Sequence, residues 1–151
     1  MLRISKLTDY GTVILAHLAS QPDRQFAAAE VAERTRIALP TVSKVLKRLQ
    51  RAGLVSSTRG SLGGYQLAQP ASEITAAKIL DALEGPFAIT ECSGQHSNCG
   101  IESNCRVGHV WQRVNGAIRR ALTDITLAQL AGLERGTTSV PLTRLVRASH
   151  E

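Results

Sequence analysis

Apolar positions in the first third of the chain recur at helical spacing. Tyr10, Val13, Ile14, His17 and Leu18 share one face. Thr8 can cap the helix they predict, Asp9 suits its positive N-terminal end, and Gln21-Pro22-Asp23 ends it. His17 lies on the apolar face and is expected to be a packed core or boundary residue. AAEVAER (Ala28–Arg34) predicts a short second helix, and Thr35-Arg36-Ile37-Ala38 a turn. A third helix starts at Leu39-Pro40, where the missing proline N–H costs nothing. Val42, Val45, Leu46 and Leu49 form its apolar face, Lys44, Lys47, Arg48 and Arg51 lie on another, and Gly53 ends it.

Short helix, tight turn and longer helix with a basic outer face make a helix-turn-helix pattern. The apolar face anchors the third helix. Its N-terminal residues Pro40, Thr41, Ser43 and Lys44 can then point into a major groove. Lys47, Arg48 and Arg51 are long enough to reach phosphates. The periodicity then changes. Leu54–Thr58 and Tyr65–Leu67 predict the two strands of a hairpin with a Gly-rich tip, a wing. At that tip Arg59 suits a narrow minor groove, and Ser61 and Gly63 complete the expected DNA-facing set.

Thr75–Glu84 predicts a further helix, ended by Gly85-Pro86. A long one follows from about Val107 to Ile125. Along it Val107, Trp111, Val114, Ile118, Ala121 and Ile125 alternate steps of four and three, a heptad seam suited to pairing with a second copy. Thr126 can cap a short helix in LAQLAGL. The expected fold class is mainly α with a small β-hairpin wing. A winged helix-turn-helix domain is expected over 1–85 and a ligand loop over 86–106. A dimerisation helix with its short follower takes 107–131, and a flexible tail 132–151.

Charge sharpens this picture. Residues 1–60 hold ten Lys/Arg and four Asp/Glu, whereas 61–151 hold eight of each, so the whole excess of +6 sits in the first part. That asymmetry points to a polyanionic partner, double-stranded DNA first. No apolar run of about 18 residues predicts a membrane span. MLRISKLTDYG lacks the apolar stretch of a signal peptide, so a cytoplasmic location is expected. There, clustered cysteines more often bind metal or do redox chemistry than form disulfides. No Ser-His-Asp, paired-carboxylate, phosphate-loop or C-x-x-C motif stands out, which argues against an enzyme.

All three cysteines fall in ECSGQHSNCGIESNCRVGHVW, spaced Cys92-x6-Cys99-x5-Cys105 with His109 after x3. Three thiolates near an imidazole can bind zinc or an iron–sulfur cluster. The short Cys-x2-4-Cys knuckles of structural zinc are absent. Wider spacing lets a loop wrap a larger cofactor, which puts a cluster ahead of zinc. The alternative is a zinc-stabilised or thiol-redox regulator without a cluster.

Four stretches together carry a resemblance: LTDYG (Leu7–Gly11), LPTVSKVLKRLQRAGLV (Leu39–Val55), STRGSLGGYQLA (Ser57–Ala68), and the cysteine loop running into CRVGHVWQRVNGAI. The chain resembles the Rrf-two family of winged-helix regulators, which includes IscR- and NsrR-type iron–sulfur sensors. LTDYGTVIL and GPFAITEC most resemble the branch regulating the SUF iron–sulfur assembly operon. The resemblance implies a homodimer whose long helix crosses between subunits, and a pseudo-palindromic operator read by the third helix and wing. It also implies repression of SUF genes by the cluster-bound form. Cys92, Cys99 and Cys105 match the family's cluster ligands. For the fourth ligand His109 ranks first, although the family pattern places its His one residue nearer the third cysteine. Asp9, supplied by the partner subunit, is the alternative, and His96 a third choice. A two-iron two-sulfur cluster is favoured, with a four-iron four-sulfur cluster left open.

Overall fold

The computed structural model describes residues 3–94, 99–101 and 104–134. Helix α1 spans Lys6–Ala19, α2 Ala28–Thr35 and α3 Leu39–Arg51. The cap of α1 is Ser5 and not Thr8: the Ser5 hydroxyl accepts from the Thr8 N–H at 3.3 Å. Thr8 is instead buried, and its hydroxyl donates to Glu84 Oε1 at 2.5 Å. Between α2 and α3, Arg36 takes a left-handed φ of 56°, which turns the chain in one residue. Val42, Val45, Leu46 and Leu49 of α3 are all fully buried. At about 1.5–3 kcal/mol for each such side chain, this face fixes the rotation of α3 and hence which residues it presents outward.

Strands β1 (Val55–Thr58) and β2 (Gly64–Leu67) pair antiparallel, Val55 opposite Leu67 and Thr58 opposite Gly64. Two ties hold this wing to the helices. Phe26, which is buried, exchanges both backbone hydrogen bonds with Tyr65, at 2.9 and 2.8 Å. Gln50 of α3 donates from Nε2 to Ser57 Oγ at 2.7 Å. Helix α4 (Ala76–Glu84) follows, capped by the Thr75 hydroxyl. A single 3-10 turn covers Glu91–Ser93, and then come α5 (Gly108–Asp124) and α6 (Leu127–Leu130).

The sequence grouped α6 with the dimerisation helix. In the structure Leu127 and Ala128 are buried, Leu127 within the core cluster that also contains Ile14 and Leu18 of α1. A Thr126–Gln129 capping box starts α6, and Thr126 bridges back to Thr75. Helix α6 therefore closes the winged-helix body and pins the far end of α5 to it. Among the described residues no helix is long and apolar enough to cross a membrane. His96 and residues 135–151, most of the expected tail, lie outside the described residues.

Candidate functional site

Two regions concentrate functional side chains: the outer face of α3 with the wing, and the loop that leads into α5. On α3, Pro40, Lys44, Lys47 and Arg51 are exposed, and Thr41 and Ser43 half-buried. Arg59 and Ser61 are exposed at the wing tip, where Leu62 is the most exposed large apolar residue, at 94%. Gly63 has a role inside the hairpin itself. A methyl at that position would collide with the Thr58 carbonyl, and its N–H donates to Gly60 O at 3.1 Å.

Arg48 departs from its expected place. It is half-buried, and Nη1 donates to the Leu83 carbonyl of α4 at 2.8 Å. That carbonyl is among the last four of α4, which have no N–H from their own helix. Arg48 thus joins α3 to the body, and the phosphate-reaching set on α3 becomes Lys44, Lys47 and Arg51.

The last turn of α4 gathers two more ties. Arg119 of α5 forms a two-bonded pair with Asp81, Nη1–Oδ1 2.8 Å and Nη2–Oδ2 2.6 Å. These bonds, before burial, set the direction of the Arg119 pKa, which is raised. Glu84 accepts from the Thr8 hydroxyl and from the Ser5 N–H. The Thr8 hydroxyl is the largest cause that lowers the Glu84 pKa, followed by the Ser5 hydroxyl and N–H. One turn, residues 81–84, so contacts α5, α3 and the start of α1. No local sequence signal announces these ties, because each partner is 35 or more residues away.

In the loop, Cys92, Cys99 and Cys105 are half-buried and none is in a disulfide. Cys92 and Cys105 come together at the foot of α5. A methyl built on Gly108 would lie 3.7 Å from Cys105 Sγ and 4.0 Å from Cys92 Sγ. Around this point Thr90 Oγ1 is 3.3 Å from Cys92 Sγ, and Gln112 of α5 donates to the Cys92 carbonyl at 3.3 Å. His109 is exposed, as is Asp9. Among the described residues no three His, Cys, Asp or Glu side chains are grouped at metal-binding distances. The donors fit a soft metal centre in kind: two thiols share one space, and the third cysteine lies on the same loop.

The apolar face of α5 is open over its first half. Val107 is 58% exposed, Val110 58%, Trp111 44% and Val114 37%. Ala121 is exposed too, whereas Ile118 and Ile125 are half-buried. Ile118 lines a cleft of about 250 Å³ with Ile4, Leu80, Phe87 and Leu122. Val110 belongs to this stripe but falls outside the strict heptad seam.

Comparisons with known proteins agree with this architecture. The model of the Rrf2 family, described as an iron-dependent transcriptional regulator, matches residues 4–132. Protein rrf2 of Nitratidesulfovibrio vulgaris is 31% identical over 130 residues, covering 85% of this chain and 87% of the relative. The HTH-type transcriptional regulator NsrR of Oceanobacillus iheyensis is 33% identical over 131 residues, 85% of this chain and 89% of the relative. Among solved structures, CymR, the global cysteine regulator of B. subtilis, superposes with a TM-score of 0.69 at 28% identity, over 89% of this chain and 99% of that one. T. potens IscR does so with a TM-score of 0.66 at 29% identity, over 88% and 89%. A basic helix-turn-helix with its wing, on a chain matched nearly from end to end of its described part, has one reading: this protein belongs to the Rrf2 family, the Rrf-two regulators of the resemblance above, and is a DNA-binding transcriptional regulator and not an enzyme.

Proposed function

We propose that the protein is a cytoplasmic homodimeric repressor of SUF iron–sulfur assembly genes that senses cluster status through an iron–sulfur cluster held by Cys92, Cys99 and Cys105. The observation that carries this reading is the meeting of the Cys92 and Cys105 thiols at Gly108, the first residue of α5. The cluster, when bound, supplies a centre whose gain or loss follows the cell's supply. This chain's own residues do the rest. Drawing the three thiolates together fixes loop 91–106 against the foot of α5. The Arg119–Asp81 pair and Arg48 then link α5, through the end of α4, to α3. Half-site spacing is a geometric requirement for a dimer on DNA, so a small change in how two α3 helices are held alters affinity. A bias of about 1–3 kcal/mol changes binding roughly 5–150-fold.

The exposed stripe Val107–Val110–Trp111–Val114 supports pairing through α5. Lys44, Lys47, Arg51 and Arg59 supply the phosphate and groove contacts. SUF genes are the target because LTDYGTVIL and GPFAITEC resemble that branch. For the fourth ligand, His109 stays the first choice by spacing, yet its exposure next to a thiol-facing Gly108 supports Asp9 of a second copy equally.

The test is anaerobic purification with iron and sulfide analysis, followed by gel shifts on a SUF promoter. A brown chromophore should be present and should vanish in the Cys92→Ala, Cys99→Ala, Cys105→Ala variant. Lys44→Ala and Arg59→Ala should weaken operator binding. A colourless protein with one zinc per chain, or metal-free protein whose DNA binding follows oxidant, would replace the cluster reading with one of the two alternatives.

A further inference from the structure

We infer that the cysteine centre has a coordination position that the chain's own loop does not fill, and that it takes a small exogenous thiolate. Gly108 is what leaves this position open. The inference rests on the metal-centre reading above, and its test separates the two.

Gly108 is buried, and it starts α5. The direction a side chain would take from it leads to the two thiols. Outside its chain neighbours, the nearest heavy atoms to a methyl there are Cys105 Sγ at 3.7 Å, Cys105 Cβ at 3.9 Å and Cys92 Sγ at 4.0 Å. A methyl would make ordinary contacts. Any longer side chain would enter the space that the thiols face, so position 108 is where this helix could supply a ligand. Glycine supplies none. His109 is the next residue, about 100° round the helix axis, and it is exposed. Reaching the thiols from there would require unwinding the first turn of α5.

Three thiolates complete three of the four positions of a tetrahedral metal. With Gly108 silent, the fourth must come from outside the loop. A centre of three soft sulfur donors favours another soft donor, which makes a low-molecular-weight thiolate the fitting ligand class. The half-burial of Cys92 and Cys105 leaves a route for a small molecule.

Cobalt(II) is a suitable probe, because its thiolate charge-transfer band scales with the number of bound sulfurs and needs no cluster. The reduced, cluster-free full-length protein is loaded with cobalt(II) and titrated with 2-mercaptoethanol. The band should rise by about one third as three thiolates become four. Gly108→Ala should keep this response, since its methyl meets the sulfurs at contact distance. Gly108→His should lose it and show a nitrogen-ligated d–d spectrum before thiol is added. An unchanged band in the unmodified protein, or an equal response in Gly108→His, overturns the inference. If the unmodified band is unchanged, Asp9→Asn reports whether a carboxylate already occupies the position. Absence of any cobalt–thiolate band in the unmodified protein would instead sink the metal-centre reading itself.

Discussion

Arg48 separates two roles that a basic helix residue can play. By sequence it belongs with the phosphate contacts; in the structure its Nη1 donates to Leu83 O at 2.8 Å. Replacing Arg48 with Met keeps the aliphatic stem and removes the donor. The loss is one charged hydrogen bond to a carbonyl at the end of α4, worth about 1.5–3 kcal/mol when buried. Arg48 is half-buried, which places the cost near the lower end, about 1.5 kcal/mol. For a chain of this length 1 kcal/mol shifts Tm by about 2–4 °C, so Arg48→Met should unfold about 3–6 °C earlier by circular dichroism. The DNA measurement is the slope of log affinity against log salt on a mixed-sequence duplex. A phosphate contact contributes about 0.9 to that slope. Arg48→Met should leave the slope unchanged. Lys47→Ala, whose side chain is exposed, should lower it by about 0.9 while changing stability by less than about 0.5 kcal/mol. If Arg48→Met lowers the slope by that amount and leaves Tm alone, the reasoning is refuted.

Gly11→Ala gains about 1 kcal/mol of helix propensity but drives a methyl into Leu83 Cδ1, an overpacking cost of about 1–3 kcal/mol, so Tm should fall by a few degrees. Combining it with Leu83→Ala should cost less than the sum of the two changes, and strict additivity would remove Leu83 as the cause. His17 has a lowered pKa because of burial first, with Arg34 and Arg24 adding to it and Glu30 opposing. Its Nε2 is buried without a hydrogen-bond partner, and its ring packs on Phe26 at 4.8 Å. The unfolded chain therefore takes up the proton first, and stability should fall as pH drops below about 6.5, levelling once the folded His17 titrates. A Tm that loses no more between about pH 7.5 and 5.5 than that of His17→Phe would contradict this. Val110→Asp with Val114→Asp places charges in the exposed stripe of α5; sedimentation should then report a monomer with unchanged far-UV dichroism, and a persistent dimer would place the interface elsewhere.

What the sequence revealed depended on how far each contact reaches along the chain. The apolar face of α3 is set by spacings of three and four residues, and Val42, Val45, Leu46 and Leu49 are all buried as expected. The wing was legible because Gly53, Gly60 and Gly63 punctuate a short stretch, although the tie between Gln50 and Ser57 was not. Beyond one element the pattern loses its hold. Ser5 and Thr8 are both capping residue types, and a carboxylate on α4, Glu84, decides how Thr8 is used. Arg48 has the composition of a DNA contact and the position of a strut, because α4 packs beside α3. The cysteine loop shows the same limit most sharply. A search for ligands looks for residues that carry a donor, so it stops at His109 and passes over Gly108. Yet the helix phase makes Gly108 the residue that meets the thiols and turns His109 outward. Spacing along the chain identified the metal-binding chemistry; the start of α5 decides which of its residues can take part.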